Sequence, residues 1–211
     1  MADDSHEVSD LLRRAADGDQ EALHELFSGY RDRLKRMVHL RLSRRFQGRV
    51  DDSDVLQEAY LEVARRLDEY VKEPGLPFFL WLRHMTELKL AEVHRRHLGT
   101  QLRDADREVT LHRGGLPLVD SVSLAAQLLG TLTTPSQAAI KAETRLLAQE
   151  ALNSMDPIDR EVLALKHFEQ LSTSEIAEVL GLSKAGAGSR YLRAIKRLRE
   201  ILSQIPGFEA F

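Results

Sequence analysis

STSEIAEVLGLSKAGAGSRYLRAIKRLREIL, residues 172–202, reads as two helices joined by a turn at Gly181, Leu182 and Ser183. That is the layout of a helix-turn-helix. Ser172 and Glu175 have the spacing of a capping box, in which each side chain accepts from the other residue's backbone N–H at the start of the first helix. Ile176, Ala177, Val179, Leu180 and Leu182 form its expected packing face, and Gly181 suits a turn conformation that a side chain resists. The second helix is basic. Its Arg190, Arg193, Lys196, Arg197 and Arg199 can meet phosphates and base edges, and Lys184 to Ser189 would enter a major groove first. A solvated basic face is the rival reading, and the capped pair with its glycine turn argues against it. Gly186 and Gly188 each cost about 1 kcal/mol relative to alanine inside an exposed helix. They either let the backbone approach DNA closely or fray the first turn.

Upstream, Asp156 and Pro157 mark a further helix start, aspartate as cap and proline at the first helical position. Helical signal also runs from Ser136 to Leu152. Before it, residues 99–135 lose periodicity and are punctuated by Gly114, Gly115, Pro117, Gly130, Thr131, Thr133 and Thr134. This predicts a linker, with one short helix near Leu124 to Leu129. The N-terminal half is helical again. Leu23, Leu26, Phe27, Leu34, Met37 and Val38 recur at helical spacing. The clearest helix spans Asp52 to Val71, with Val55, Leu56, Ala59, Tyr60, Val63, Ala64, Leu67 and Tyr70 on one face and Ser53 and its aspartates at the N-terminus. Pro74, Gly75 and Pro77 end it and open another helix that carries Phe78, Phe79, Trp81, Leu82, Met85, Leu88 and Val93 to about His97.

The chain is 211 residues long with a formal net charge of -3, which hides a strong segregation. From Arg31 to Arg49 eight cations face Asp32 alone, a net of +7. From Asp51 to Glu73 the net is -5, and from Lys184 to Arg199 it is +6 with no acid. Binding to nucleic acid responds to such local potential rather than to the total. The chain has no cysteine, which excludes disulfides, thiolate metal sites and cysteine nucleophiles and fits a reducing, cytoplasmic setting. No apolar run is long enough to cross a bilayer, and MADDSHEVSD is unlike a secretory signal.

Two separated blocks, DSDVLQEAYLEVARRLDEY (residues 52–70) and ALNSMDPIDREVLALKHFEQLSTSEIAEVLGLS (residues 151–183), resemble in order the extracytoplasmic-function (ECF) sigma factors of the sigma-70 family. The resemblance implies an all-α fold of two helical domains: a tail at 1–8, sigma domain 2 at 9–98, a linker at 99–135, the helix-turn-helix sigma domain 4 at 136–205, and a tail at 206–211. It implies that the first block docks on the clamp coiled coil of the largest subunit of core RNA polymerase, with Asp54, Gln57 and Glu58 at the contact. An acidic surface suits a basic coiled coil. PFFLWLRHMTELKLAEVHRRHL (residues 77–98) is similar to the segment that melts promoter DNA and reads the minus-ten element. Aromatics at helical spacing favour a core role for Phe78 and Trp81. Arg83, His84, Lys89, His94, Arg95 and Arg96 are the better candidates for the DNA backbone, in a salt-dependent contact. In the second helix of the helix-turn-helix, Lys184, Ser189, Arg190, Arg193, Lys196 and Arg197 are the expected minus-thirty-five contacts. The chain departs from the family at Glu87 and Leu88, where arginine and asparagine are usual, and at Ala187 and Gly188 within AGAGSR.

The expected function is promoter-directed transcription initiation, with core polymerase and promoter DNA as partners, room for an anti-sigma regulator, no cofactor, no metal and no catalysis. An activator with a helical regulatory lobe is the alternative, which core-polymerase dependence would separate. A metal enzyme built on His94, His97 and Glu92 is disfavoured, because two arginines sit between the histidines and would repel a cation.

Overall fold

The computed structural model describes residues 2–42, 50–98, 119, 121–130 and 138–203. Among the described residues all regular structure is helical: α1 Ala2–Ala16, α2 Gln20–Arg41, α3 Asp52–Lys72, α4 Phe78–Leu98, α5 Ser121–Gly130, α6 Ala138–Asn153, α7 Pro157–His167, α8 Thr173–Leu180 and α9 Lys184–Leu202. Most of the expected linker, the C-terminal tail, Arg44, Arg45 and Arg49 of the first basic run, and the His97 side chain lie outside the described residues. The chain divides into two compact units, Met1–His39 with Phe46–Asp106, and Leu40–Arg45 with Arg107–Phe211.

In the first unit the expected apolar stripe of α2 is the one that is buried: Leu23, Leu26, Phe27, Leu34, Met37 and Val38. Helix α3 packs on α4 and α1 and buries Val55, Leu56, Ala59, Val63 and Leu67, and Phe27 of α2 meets Tyr60 edge-on at 5.2 Å. Asp51, rather than Ser53, caps α3, its carboxylate accepting from the Ser53 N–H at 2.7 Å. The turn between α3 and α4 is closed by an aromatic cluster. Tyr70 stacks on Trp81 at 4.5 Å and packs on Phe78 at 5.6 Å, while its hydroxyl donates to the Leu76 carbonyl at 2.9 Å. Phe78 is buried and Trp81 half-buried, so both are committed to packing. Aromatic pairs of this kind add about 1 kcal/mol beyond area burial.

In the second unit, α5 packs on α6 and α7. Leu124 and Ala125 of α5, with Val119 before it, share a core with Ala148, Leu152, Leu163, Ala164, Ala194 and Leu198. Two hydrogen bonds hold this segment in place, Ser121 Oγ to Asn153 Oδ1 at 2.5 Å and the Val119 N–H to Glu161 Oε2 at 2.9 Å. The predicted caps are present. Asp156 accepts from the Ile158 N–H at 2.8 Å with Pro157 beginning α7. Ser172 and Glu175 form the reciprocal capping box of α8, worth about 1 kcal/mol. Gly181 ends α8 at φ 62°, the left-handed conformation that makes glycine the fitting residue there. Ser183 then caps α9, its Oγ accepting from the Gly186 N–H at 3.0 Å.

Candidate nucleic-acid interface

Three helix surfaces carry the residues expected to act. On α3, Asp54 and Gln57 are exposed and Glu58 is half-exposed. They follow three- and four-residue steps along the solvent face, which continues through Leu61 and Arg65 to Asp68. Leu61 stands in the middle of that stripe and is 63% exposed. A large apolar side chain so placed within an acidic face is the residue that sequence reasoning missed here. Its signal was present, since Leu61 is out of step with the buried run Val55, Ala59, Val63, Leu67.

On α4 the expected DNA contacts are mostly occupied by acids. Arg83 is 3% exposed, its guanidinium held by Glu87 one helical turn on. The structure thus turns Arg83, an expected DNA contact, toward Glu87 and away from solvent. Glu87, one of the four residues that depart from the family pattern, thus anchors a buried ion pair, and it also lies 3.7 Å from His84. Lys89 reaches Glu92 at 3.2 Å and Glu62 of α3 at 3.5 Å. Arg96 makes a two-pronged contact with Glu58, 2.8 and 3.3 Å, and lies 3.5 Å from Glu92. His94 is half-buried, and Arg95 is exposed. The structure therefore pairs Glu58, an expected polymerase contact, with Arg96, an expected DNA contact.

These pairs shift the acids. Arg96 holds the Glu58 carboxyl below its usual range. Glu62, hydrogen-bonded first by Arg65 and then by Arg66, with Lys89 nearby, is lowered to about 2. Glu62 is buried, so its charge needs those cations.

Helix α9 is different. Ser189, Leu192, Arg193 and Lys196 share one exposed face, with Lys184 exposed at the N-terminus. Leu192 is 69% exposed, a second apolar residue that sequence reasoning did not single out. Arg197 is half-exposed, 3.3 Å from Glu200 and 3.4 Å from Ser154 Oγ. Arg190 points elsewhere, donating to Asp159 of α7 at 2.8 Å with Asp156 at 3.6 Å. The opposite face of α9, Ala187, Ala194 and Leu198, is buried. One helix thus offers an exposed cationic stripe and a packed apolar back, as a groove-reading helix requires. Among the described residues no three His, Asp or Glu side chains gather as metal ligands would, and no helix is long and apolar enough to cross a membrane.

Comparison with known proteins bears on both units. Residues 145–198 match the family model Sigma-70, region 4, which takes in α7 and α8 and most of α6 and α9. Over nearly the whole chain the sequence is similar to RNA polymerase sigma factor CarQ of Myxococcus xanthus, 28% identical over 92% of this chain and 97% of the relative. It is also similar to ECF RNA polymerase sigma factor ShbA of Streptomyces griseus, 26% identical over 96% and 98%. Over nearly its whole length the chain is thus similar to ECF sigma factors, and its C-terminal part matches sigma-70 region 4. A third relative, ECF RNA polymerase sigma factor SigW of Bacillus subtilis, is 23% identical over 94% of this chain and 98% of its own. The solved structure of CnrH, in complex with the cytosolic domain of CnrY, shares the fold with a TM-score of 0.53, 22% identity, and coverage of 92% and 96%. An ECF sigma factor acts with RNA polymerase at promoters, and the exposed basic stripe of α9 is placed on the helix-turn-helix that such an activity needs.

Proposed function

We propose that the two units of this sigma factor divide its work, the first binding core polymerase and opening the minus-ten region, the second anchoring the minus-thirty-five element. The observation that carries this is the contrast of surfaces. Helix α3 presents acidic and polar residues, Asp54, Gln57 and Glu58, leading to the exposed Leu61, and α9 presents a cationic stripe with Leu192 at its centre. The α3 stripe fits a basic helical partner such as the clamp coiled coil, with charge steering the encounter and Leu61 as the desolvated anchor. The α9 stripe fits a major groove, with Lys184, Ser189, Arg193, Lys196 and Arg197 as the contacts and Leu192 available to a thymine methyl group. His84, Lys89, His94, Arg95 and Arg96 remain the minus-ten set, without Arg83.

The chain itself catalyses nothing in this reading and works in the cytoplasm, where core polymerase is. A protein regulator belongs to the proposal as well, since CnrH was solved with the cytosolic domain of CnrY bound. Pull-down of core RNA polymerase tests the division of labour. Wild-type chain retains core stoichiometrically, Leu61→Asp and the double variant Asp54→Lys, Glu58→Lys lose it, and Arg193→Ala keeps it. Equal retention by all four would remove α3 from the interface.

A further inference from the structure

Arg190 lies within the basic run of α9, and its charge alone assigns it to DNA. The geometry points elsewhere: we infer that Arg190 is a positioning residue, and that Asp159, which cannot touch DNA through it, sets the aim of the recognition helix. The inference rests on the proposed role of α9 and deepens it.

The Arg190 side chain is 25% exposed and Asp159 17%. Its guanidinium donates to Asp159 Oδ1 at 2.8 Å and lies 3.6 Å from Asp156 Oδ1. Asp156 is also the cap of α7, so Arg190 grips the first turn of that helix, where two carboxylates already cluster. The next residue, Tyr191, reaches the other end of α7. Its hydroxyl is 3.3 Å from His167 Nε2 and the two rings are 5.7 Å apart. Roughly 12 Å of helix axis separates Asp159 from His167. Two consecutive residues of α9 thus hold points near opposite ends of α7, and Ala194 and Leu198 share a buried core with Leu163 and Ala164, which lie between those points on α7. An apolar contact alone lets one helix roll or tilt on another, because it is not directional. The polar contacts at both ends remove that freedom and fix which residues of α9 face outward. Ser189, Leu192, Arg193 and Lys196 then project together, while Arg190 is turned about 100° from its neighbour Ser189.

The test uses the full chain with core polymerase and two duplexes, one carrying an upstream element from a promoter that the holoenzyme transcribes, the other with that element scrambled. The readout is the ratio of affinities. Asp159→Asn and Arg190→Gln are each expected to lower the ratio roughly fivefold, and the double variant no further, since both remove one interaction. The log–log salt slope stays at the wild-type value for Arg190→Gln and falls by about 0.9 for Arg193→Ala, which loses a phosphate contact. A merely structural role would lower binding to both duplexes alike and leave the ratio unmoved, which overturns the inference. A wild-type ratio in Asp159→Asn, with a lost ratio and a reduced salt slope in Arg190→Gln, overturns it in favour of direct DNA contact. If wild-type holoenzyme itself shows no preference between the duplexes, the reading of α9 fails instead.

Discussion

Helices α4 and α9 carry similar numbers of basic residues and use them in opposite ways. In α4, Arg83 serves Glu87, Lys89 serves Glu62 and Glu92, and Arg96 serves Glu58 and Glu92. In α9, Lys184, Arg193 and Lys196 stand in solvent. The cause is the acids within reach. Helix α4 carries Glu87 and Glu92 a turn from its own cations and packs along α3, whose Glu58 and Glu62 reach across, whereas α9 packs its apolar back on α7 and α8 and leaves its stripe uncovered. A count of cations along a helix does not give the potential it presents, because each close acid cancels a charge locally.

The sharpest way to break this contrast is to remove one cation from each helix and compare folding with binding. Arg83→Ala leaves the buried Glu87 without its cation and is expected to cost about 3 kcal/mol in urea unfolding, whereas Arg193→Ala changes stability by less than about 0.5 kcal/mol. Equal stability of the two variants would make Arg83 a surface residue after all. Next in size is Glu62→Gln, expected to cost about 2 kcal/mol through the lost contacts with Arg65, Arg66 and Lys89. Acid titration reads the same interaction. The folded Glu62 carboxyl lies at about 2 against an ordinary 4.5, so its contribution is present above pH 4.5 and is lost as pH falls toward 2. Wild type should therefore lose more stability across that window than Glu62→Gln, and parallel curves would contradict the pairing.

For binding the order reverses. Arg193→Ala should weaken promoter recognition by about 1.4 kcal/mol, or tenfold, in a filter or fluorescence assay of the holoenzyme at fixed salt. The smallest effect separates two glycines of α9. A methyl at Gly188 would meet only Thr173 Cγ2 at 3.9 Å, whereas at Gly186 it would lie 3.0 Å from Ser183 Oγ, the cap oxygen. Gly188→Ala should raise stability by about 0.7 kcal/mol, and Gly186→Ala should gain less or lose. A matching gain at both would mean that the cap is not what holds Gly186.

Much of the fold was legible because its signals are local. The Asp156 cap with Pro157, the capping box at Ser172, the glycine at 181 and the buried stripe of α2 each lie within a few residues and follow from backbone geometry. The short helix expected near Leu124 appears as α5, although no local signal marks Leu124 and Ala125 for burial in the core they share with α6 and α7. The candidate site was less legible. Arg83 and Glu87 stand four apart, a pair readable on a helical wheel, but its burial depends on what packs over it. Lys89 with Glu62, Arg96 with Glu58 and Arg190 with Asp159 join residues 27 to 38 apart in the chain, and no periodicity encodes them. Leu61 and Leu192 were overlooked because an apolar residue suggests a core until its face is known to be open.

Transcription from a genomic library by core RNA polymerase, with and without this chain, decides whether it directs initiation. Start sites that depend on the chain and share two upstream elements at a fixed spacing are expected, with those sites weakened by Arg193→Ala. No chain-dependent start sites, together with tight sequence-specific DNA capture by the free chain at physiological salt, would contradict that role and make the molecule an activator.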